Sequence, residues 1–409
     1  MILLALIVGT ASAAADRGRV AVPVPSPEAI RFHRTGLLLW FVGKAWSFGV
    51  PTLILVSGLS ARIRRLAMGG RAPWLVGVAA YGALFLAAEF VLRLPLRYYA
   101  SFARLHEYGL STQPFGRWLG DEFKHLAVEI VGAALLLWVP YRLMARSSRR
   151  WWLYTGLLTL PLAWWMALIT PVWIDPLYHD FGPMKDKALE ARIDALARRA
   201  GIDGGKIFEV DKSRDTRTVN AYVTGLFGTK RIVLWDTTLA KLEDDEVLVV
   251  LGHEMGHYVL NHVMVGLTMS SLATIGGLYF VHRSAGWLIR RHAGRFGFDR
   301  IDDVASAPLL LVLIQGMVLL VAPASNAMSR WMEREADRFG LEITRDNHAG
   351  ASGFARMQVD NLSIPHPDPF SRIWRSTHPA LGDRIEFFND YRPWESGRPL
   401  RYGDRFRSP

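Results

Sequence analysis

The sequence predicts a mainly α-helical, polytopic membrane protein with a small β-sheet in its polar part. Three observations carry that expectation. Residues 151–174, 263–281 and 304–329 are apolar, free of charge and near the roughly twenty residues a helix needs to cross a bilayer. Residues 36–59, 74–92 and 126–141 are nearly as apolar, with one charge each: Lys44, Glu89 and Glu129. Short arginine bursts separate these stretches (Arg62 to Arg71, Arg142 to Arg150, Arg283 to Arg300), as in loops held on the cytoplasmic face. One such stretch would suit the core of a soluble protein; six with this punctuation do not.

In chain order, residues 1–15 are apolar and end in Ala-Ser-Ala-Ala-Ala, which predicts a signal peptide or an N-terminal anchor. A membrane bundle is expected over 36–174, with spans at about 36–59, 74–92, 126–144 and 151–174. The remainder, 175–409, carries the polar chemistry and two further spans at about 263–281 and 304–329. If six helices alternate, the arginine loops 60–73, 145–150 and 282–303 share one side. The loop 93–125, the segment 175–262 and the tail share the other. Positive loops stay inside, so the polar part is expected on the non-cytoplasmic side of a bacterial inner membrane. Lys44, Glu89 and Glu129 then line a wet chamber or form ion pairs near helix ends.

The net charge of +11 is explained by those loops, and no basic stripe suggests a nucleic acid partner. With no cysteine, disulfides, thiolate ligands and a thiol nucleophile are excluded. Residues 185–200 place Leu189, Ile193, Leu196 and Ala200 on one helical face. Residues 206–210 and 231–235 read as strands, and 219–223 as a third that joins the latter through a turn with Gly225 and Gly228. The tail from Arg345 shows little periodicity.

The chemical signal is His253-Glu254-Met255-Gly256-His257. Residues four apart on a helix differ by about 40° around its axis, so both imidazoles face the same way and can share one tetrahedral zinc. Glu254 can then deprotonate a water at the open position. The apolar approach 247–251 implies a buried helix, where unpaired histidines would be costly. A third ligand is needed. In residues 329–337, Glu333 and Asp337 share a face and Glu335 points elsewhere. Glu333 can bind the metal while Asp337 accepts the outer N–H of a ligating histidine.

Several segments together resemble the type I CAAX prenyl proteases, integral membrane zinc metallopeptidases of the gluzincin type. They are Leu94 to Tyr98, Phe102, Glu107-Tyr108-Gly109, Gln113, Trp118, Asp121 and Lys124; residues 176–183; Asn220-Ala221-Tyr222; residues 230–236; residues 253–257; residues 329–337; and Ser376-Thr377-His378-Pro379 with Arg384. The resemblance implies that His253, His257 and Glu333 are zinc ligands and Glu254 the general base. It implies that Asn220, Ala221 and Tyr222 hold the substrate backbone by strand addition. It also implies that His378, with Arg384, lies by the scissile carbonyl and the developing oxyanion. The family usually has one more N-terminal span, where this chain has only residues 1–15.

The expectation is a membrane-embedded zinc endopeptidase, one Zn²⁺ per chain, acting on a protein or peptide with or without a lipid anchor. A non-catalytic zinc-containing scaffold or chaperone is the alternative, which the intact Glu254 disfavours. A transporter built on Lys44, Glu89 and Glu129 would need paired, repeated halves that the sequence lacks.

Overall fold

The computed structural model describes residues 18–225 and 230–407, so the expected signal peptide or anchor at 1–15 lies outside the described residues. Helix α1 (Pro27–Val56) starts with Pro27 in its first turn, and Ser26 caps it by accepting the Ala29 N–H. The short α2 (Leu59–Met68) follows Gly58, whose φ of +70° turns the chain back. Then come α3 (Trp74–Arg97), a wider π turn (Tyr98–Ala103) and α4 (Arg104–Glu107). The next passage is α5 (Phe115–Leu136) with α6 (Trp138–Arg146), followed by α7 (Trp151–Ile169). In the polar part lie α8 (Lys187–Arg199), α9 (Asp236–Lys241) and α10 (Asp244–Val259). Two long helices, α11 (His262–Phe296) and α12 (Ala307–Thr344), precede α13 (Asn347–Asp360), α14 (Pro369–Trp374) and α15 (Leu381–Asp390).

Among the described residues, six helical passages are long and apolar enough to cross a membrane. They outrun the expected spans. At 35 residues, α11 is about 52 Å long against a hydrocarbon core of about 30 Å, so it projects well past the bilayer. The three arginine loops gather at one end of the bundle. Arg64 pairs with Asp303, Ser60 donates to the Ala305 carbonyl at 2.7 Å, and Tyr141 to the Val304 carbonyl at 3.3 Å. The bundle's buried apolar cluster sits at this end, around Ile54, Val78, Tyr81, Trp151, Val281 and Leu309. Of the intramembrane charges, Glu89 is buried and pairs with Arg93 at 3.0 Å, one turn on. Lys44 lies 5.6 Å from the Trp40 ring centroid, and Glu129 is exposed.

Among the described residues the sheet has four strands, β1 (Phe181–Pro183), β2 (Lys206–Val210), β3 (Ala221–Thr224) and β4 (Arg231–Trp235), in the order β1-β2-β4-β3. Only β2 and β4 run parallel; β3 is antiparallel to β4, with Tyr222 opposite Val233. The expected strand 219–223 begins two residues later, and β1, too short and too rich in Gly and Pro to read as a strand, was not expected. The tail departs most: three helices replace the expected irregular chain. They lack a simple apolar stripe because α13 is buried through glycines and alanines (Ala349, Gly350, Ala351, Gly353) as much as through Phe354.

One crossing positions the site. Helix α10 lies against the polar end of α12 through Gly252, Gly256, Ala336 and Gly340. A methyl group on Gly340 would sit 2.6 Å from the His253 backbone nitrogen, and one on Gly256 3.1 Å from the Ala336 Cα. Small residues let the two backbones approach until short side chains from both can meet.

Candidate metal centre

Helix α10 is held at both ends. Glu243 and Glu246 form a capping box at its start, and the buried Glu246 also takes the Arg356 guanidinium at 3.0 Å and the Ser352 hydroxyl at 2.6 Å. At its end Asn261 adopts a left-handed φ of 56°, which turns the chain into α11 and brings His262 back over His257.

Three side chains converge between α10 and α12. His253 Nε2 lies 3.2 Å from His257 Nε2 and 3.3 Å from Glu333 Oε2, and His257 Nε2 lies 3.4 Å from Glu333 Oε1. Among the described residues this trio is the one acid and histidine group whose ligand atoms could share a metal ion. The donor set fits a zinc ion. Bonds of about 2.0–2.1 Å in tetrahedral geometry separate neighbouring ligand atoms by about 3.3 Å. Among the described residues, buried Glu333 Oε2 also has no hydrogen-bond partner, a costly state that a cation would relieve.

The outer nitrogens of both histidines are engaged. His253 Nδ1 is 2.8 Å from Asp337 Oδ1, so an N–H donated there leaves the Nε2 lone pair facing Glu333. His257 Nδ1 meets His262 Nδ1 at 3.1 Å, a contact that the helical spacing does not show because the chain reverses at Asn261. Burial works against a charged His253, but its hydrogen bond to Asp337 and the Glu333 carboxylate 3.3 Å away outweigh it and raise its pKa to about 9. Glu254 projects beside the trio, with Oε1 3.9 Å from His253 Nε2, and burial raises its carboxyl pKa.

His378 comes from the loop before α15 and places Nε2 3.3 Å from Glu333 Oε1. Burial lowers its pKa, favouring the neutral ring, and the Thr377 hydroxyl lies 2.9 Å from its Nδ1. Arg330, one turn before Glu333, anchors this loop by donating to the Arg372 and Ser376 carbonyls, each at 2.8 Å. Neither Thr377 nor Arg330 is assigned a role by the sequence. Arg384, expected beside the scissile carbonyl, is buried with its guanidinium on Asp337 (3.0 and 2.5 Å), on the Nδ1 side of His253. It also covers the Phe354 ring at 3.9 Å.

Residues 220–222 lie at the sheet edge that packs on α10. The Asn220 N–H and carbonyl are both taken by the Thr238 hydroxyl, at 2.9 and 2.6 Å, whereas Ala221 and Tyr222 pair with β4 on one side only.

Residues 183–392 match peptidase family M48, and residues 31–180 match the N-terminal region of CAAX prenyl proteases, described as five membrane helices. The described part of that second range contains four long apolar passages. The chain is 35% identical to a Bacillus subtilis protein named "Uncharacterized metalloprotease YhfN", over 91% of this chain and 87% of the relative. It is 30% identical to Saccharomyces cerevisiae "CAAX prenyl protease 1", over 71% and 67% of the two chains. The crystal structure of S. mikatae Ste24p has the same fold, with a TM-score of 0.75 at 22% identity, covering 88% of this chain and 87% of that one. With these likenesses over both halves, the chain belongs to peptidase family M48 and is a membrane-embedded metalloendopeptidase.

Proposed function

We propose that His253, His257 and Glu333 hold one zinc ion and that Glu254 is the general base for hydrolysis of a peptide bond. The observation that carries this reading is the convergence of His253 Nε2, His257 Nε2 and the Glu333 carboxylate, with separations of 3.2–3.4 Å. Bound there, zinc supplies Lewis-acid polarisation of the scissile carbonyl and makes a water nucleophilic near neutral pH. Glu254 takes the proton from the attacking water and returns it to the leaving amine, and its raised pKa suits both steps. His378, with Thr377 donating to Nδ1, keeps its hydrogen on Nε2 and directs it at the developing oxyanion. Asp337 holds His253 in the ligating tautomer, and Arg384 is a positioning residue that clamps Asp337 rather than a substrate contact. The free edge of β3 at Ala221 and Tyr222 offers main-chain groups to an extended substrate.

The substrate is a protein or peptide reached from the membrane. Between α11 and α12 lies an apolar cavity of about 760 Å³, lined by residues such as Met269, Leu278, Met317, Val321 and Met332, the last adjacent to Glu333. It would suit a lipid anchor like that implied by the name of the yeast relative. The gathering of the arginine loops at the opposite end supports a site on the non-cytoplasmic face. The test is Glu254→Gln in full-length protein, assayed on one peptide with and without a prenyl chain. Hydrolysis should fall by about 10²–10⁴-fold with zinc retained, and the lipidated peptide should show the lower KM in the wild type. Unchanged turnover in the variant would remove Glu254 from the mechanism, and equal KM values would remove the lipid anchor.

A further inference from the structure

Two buried carboxylates on α12 take no part in the site. Glu335 and Glu342 are 6% and 0% exposed. At about 100° per residue, they lie about 200° and 180° around the helix from Glu333, while Asp337 lies only about 40° from it. The polar end of α12 thus has a front stripe, Glu333 and Asp337, and a back stripe, Glu335 and Glu342.

The back stripe is gripped by the chain's C-terminal segment. Glu342 accepts the Arg401 N–H at 2.9 Å, the Tyr402 N–H at 2.8 Å and the Tyr391 hydroxyl at 2.5 Å. Glu335 accepts the Tyr402 hydroxyl and pairs with Arg401 at 3.0 Å and Arg338 at 2.7 Å. Tyr402 and Phe406 pack on Phe339 between the two, with ring centroids 5.9 and 5.2 Å away. Beyond them the Arg407 N–H donates to the Arg199 carbonyl at 2.8 Å and its side chain reaches Asp203, tying the segment to α8. Most of this lies past residue 392, where the match to the peptidase family ends.

We propose that residues 391–407 form a strap that sets the rotation of α12, and that Glu342, Glu335, Tyr391 and Tyr402 are positioning residues for the metal centre. The inference rests on Glu333 and Asp337 serving as proposed above. Away from the glycine crossing, non-directional apolar contacts would tolerate a small turn of the helix. A carboxylate that must meet two adjacent backbone N–H groups and a phenol would not, because every lost bond leaves a buried charge short of partners. With the front stripe a half-turn away, the strap fixes where Glu333 and Asp337 point. Filling the back of α12 would need no charge at all: well-packed apolar residues of similar volume commonly serve stability as well as a buried ionic group.

The test uses full-length protein in detergent and compares Glu342→Leu with the wild type. Zinc affinity is read by chelator competition, and geometry by the visible spectrum of the Co²⁺-loaded protein. The strap account expects the variant to bind zinc about tenfold or more weakly, as when a partner of a metal ligand is lost, with an altered Co²⁺ spectrum; Tm falls as well, because the Arg401 and Tyr402 N–H groups and the Tyr391 hydroxyl lose their acceptor. Arg407→Ala, which cuts only the tie to Asp203, should leave both readouts at wild-type values. If Glu342→Leu does not fold, the Tyr391→Phe/Tyr402→Phe pair decides by the same two readouts. A folded variant with wild-type zinc affinity and Co²⁺ spectrum overturns the strap. A wild type without stoichiometric zinc overturns instead the metal assignment on which it rests.

Discussion

At the scale of single residues, the site places hydrogen-bond acceptors around two imidazoles and lets each acceptor decide a tautomer. Asp337 takes the outer side of His253, and Glu333 faces the inner side of both rings. Without metal, His253 holds a proton up to a pH of about 9, because its hydrogen bond to Asp337 and the nearby Glu333 carboxylate outweigh the cost of burial. The free histidine value is near 6.5, so the folded pKa is raised. The stabilisation of the metal-free protein is therefore complete below about pH 6.5 and is lost as pH rises through about 9. Thermal unfolding of chelated and zinc-loaded samples across pH 6 to 10 checks this: Tm of the chelated form should fall through that window while the loaded form changes less. Parallel curves would show that His253 is not the group that titrates in that window. The residues legible in the sequence are those whose relation is local. His253 and His257 share a helical face, as do Glu333 and Asp337, and spacing alone reveals both pairs. Arg384 and His262 reach their partners across 47 residues and around a reversal at Asn261, and spacing is silent on both.

Among the elements, the crossing of α10 on α12 has the least tolerance. Gly252 and Gly340 meet backbone to backbone, so a Cβ at Gly340 would clash with the His253 nitrogen at 2.6 Å and its Cα at 3.0 Å. Neither is the yielding end of a flexible side chain. Gly340→Ala should therefore cost about 1–3 kcal/mol of stability and weaken zinc binding, because separating the helices draws Glu333 away from the histidines. Calorimetry and chelator competition on the purified variant would show both effects; wild-type values in both would mean the crossing is looser than its contacts imply. These glycines carry no signal in the sequence until the two helices are known to meet. The strap is equally hidden: spacing along the chain is silent on the burial of Glu335 and Glu342, and only the folded tail shows it.

Across the whole molecule, apolar length and arginine spacing are enough to read six spans, because the bilayer imposes one requirement on each. The sequence stretches fix where hydrocarbon begins, not where the helices stop, so α11 and α12 outrun them. The N-terminal residues before α1 lie on the site's side: Val20 exchanges two hydrogen bonds with Asn389, and Pro23 accepts one from Gln358. The arginine loops sit at the other end, tied by Arg64 and Asp303. Because the chain has no cysteine, single introduced thiols report cleanly on sidedness. In intact cells a thiol at Lys206, exposed on the sheet, should react with an impermeant maleimide, and one at Arg149 only after permeabilisation. The reverse pattern would place the metal centre in the cytoplasm.

The zinc content of full-length protein, measured beside that of Glu333→Ala, tests the central claim most directly. The account predicts one zinc per wild-type chain and loss of stoichiometric zinc from the folded variant. A wild type without zinc, or a variant that keeps its full complement, would contradict it.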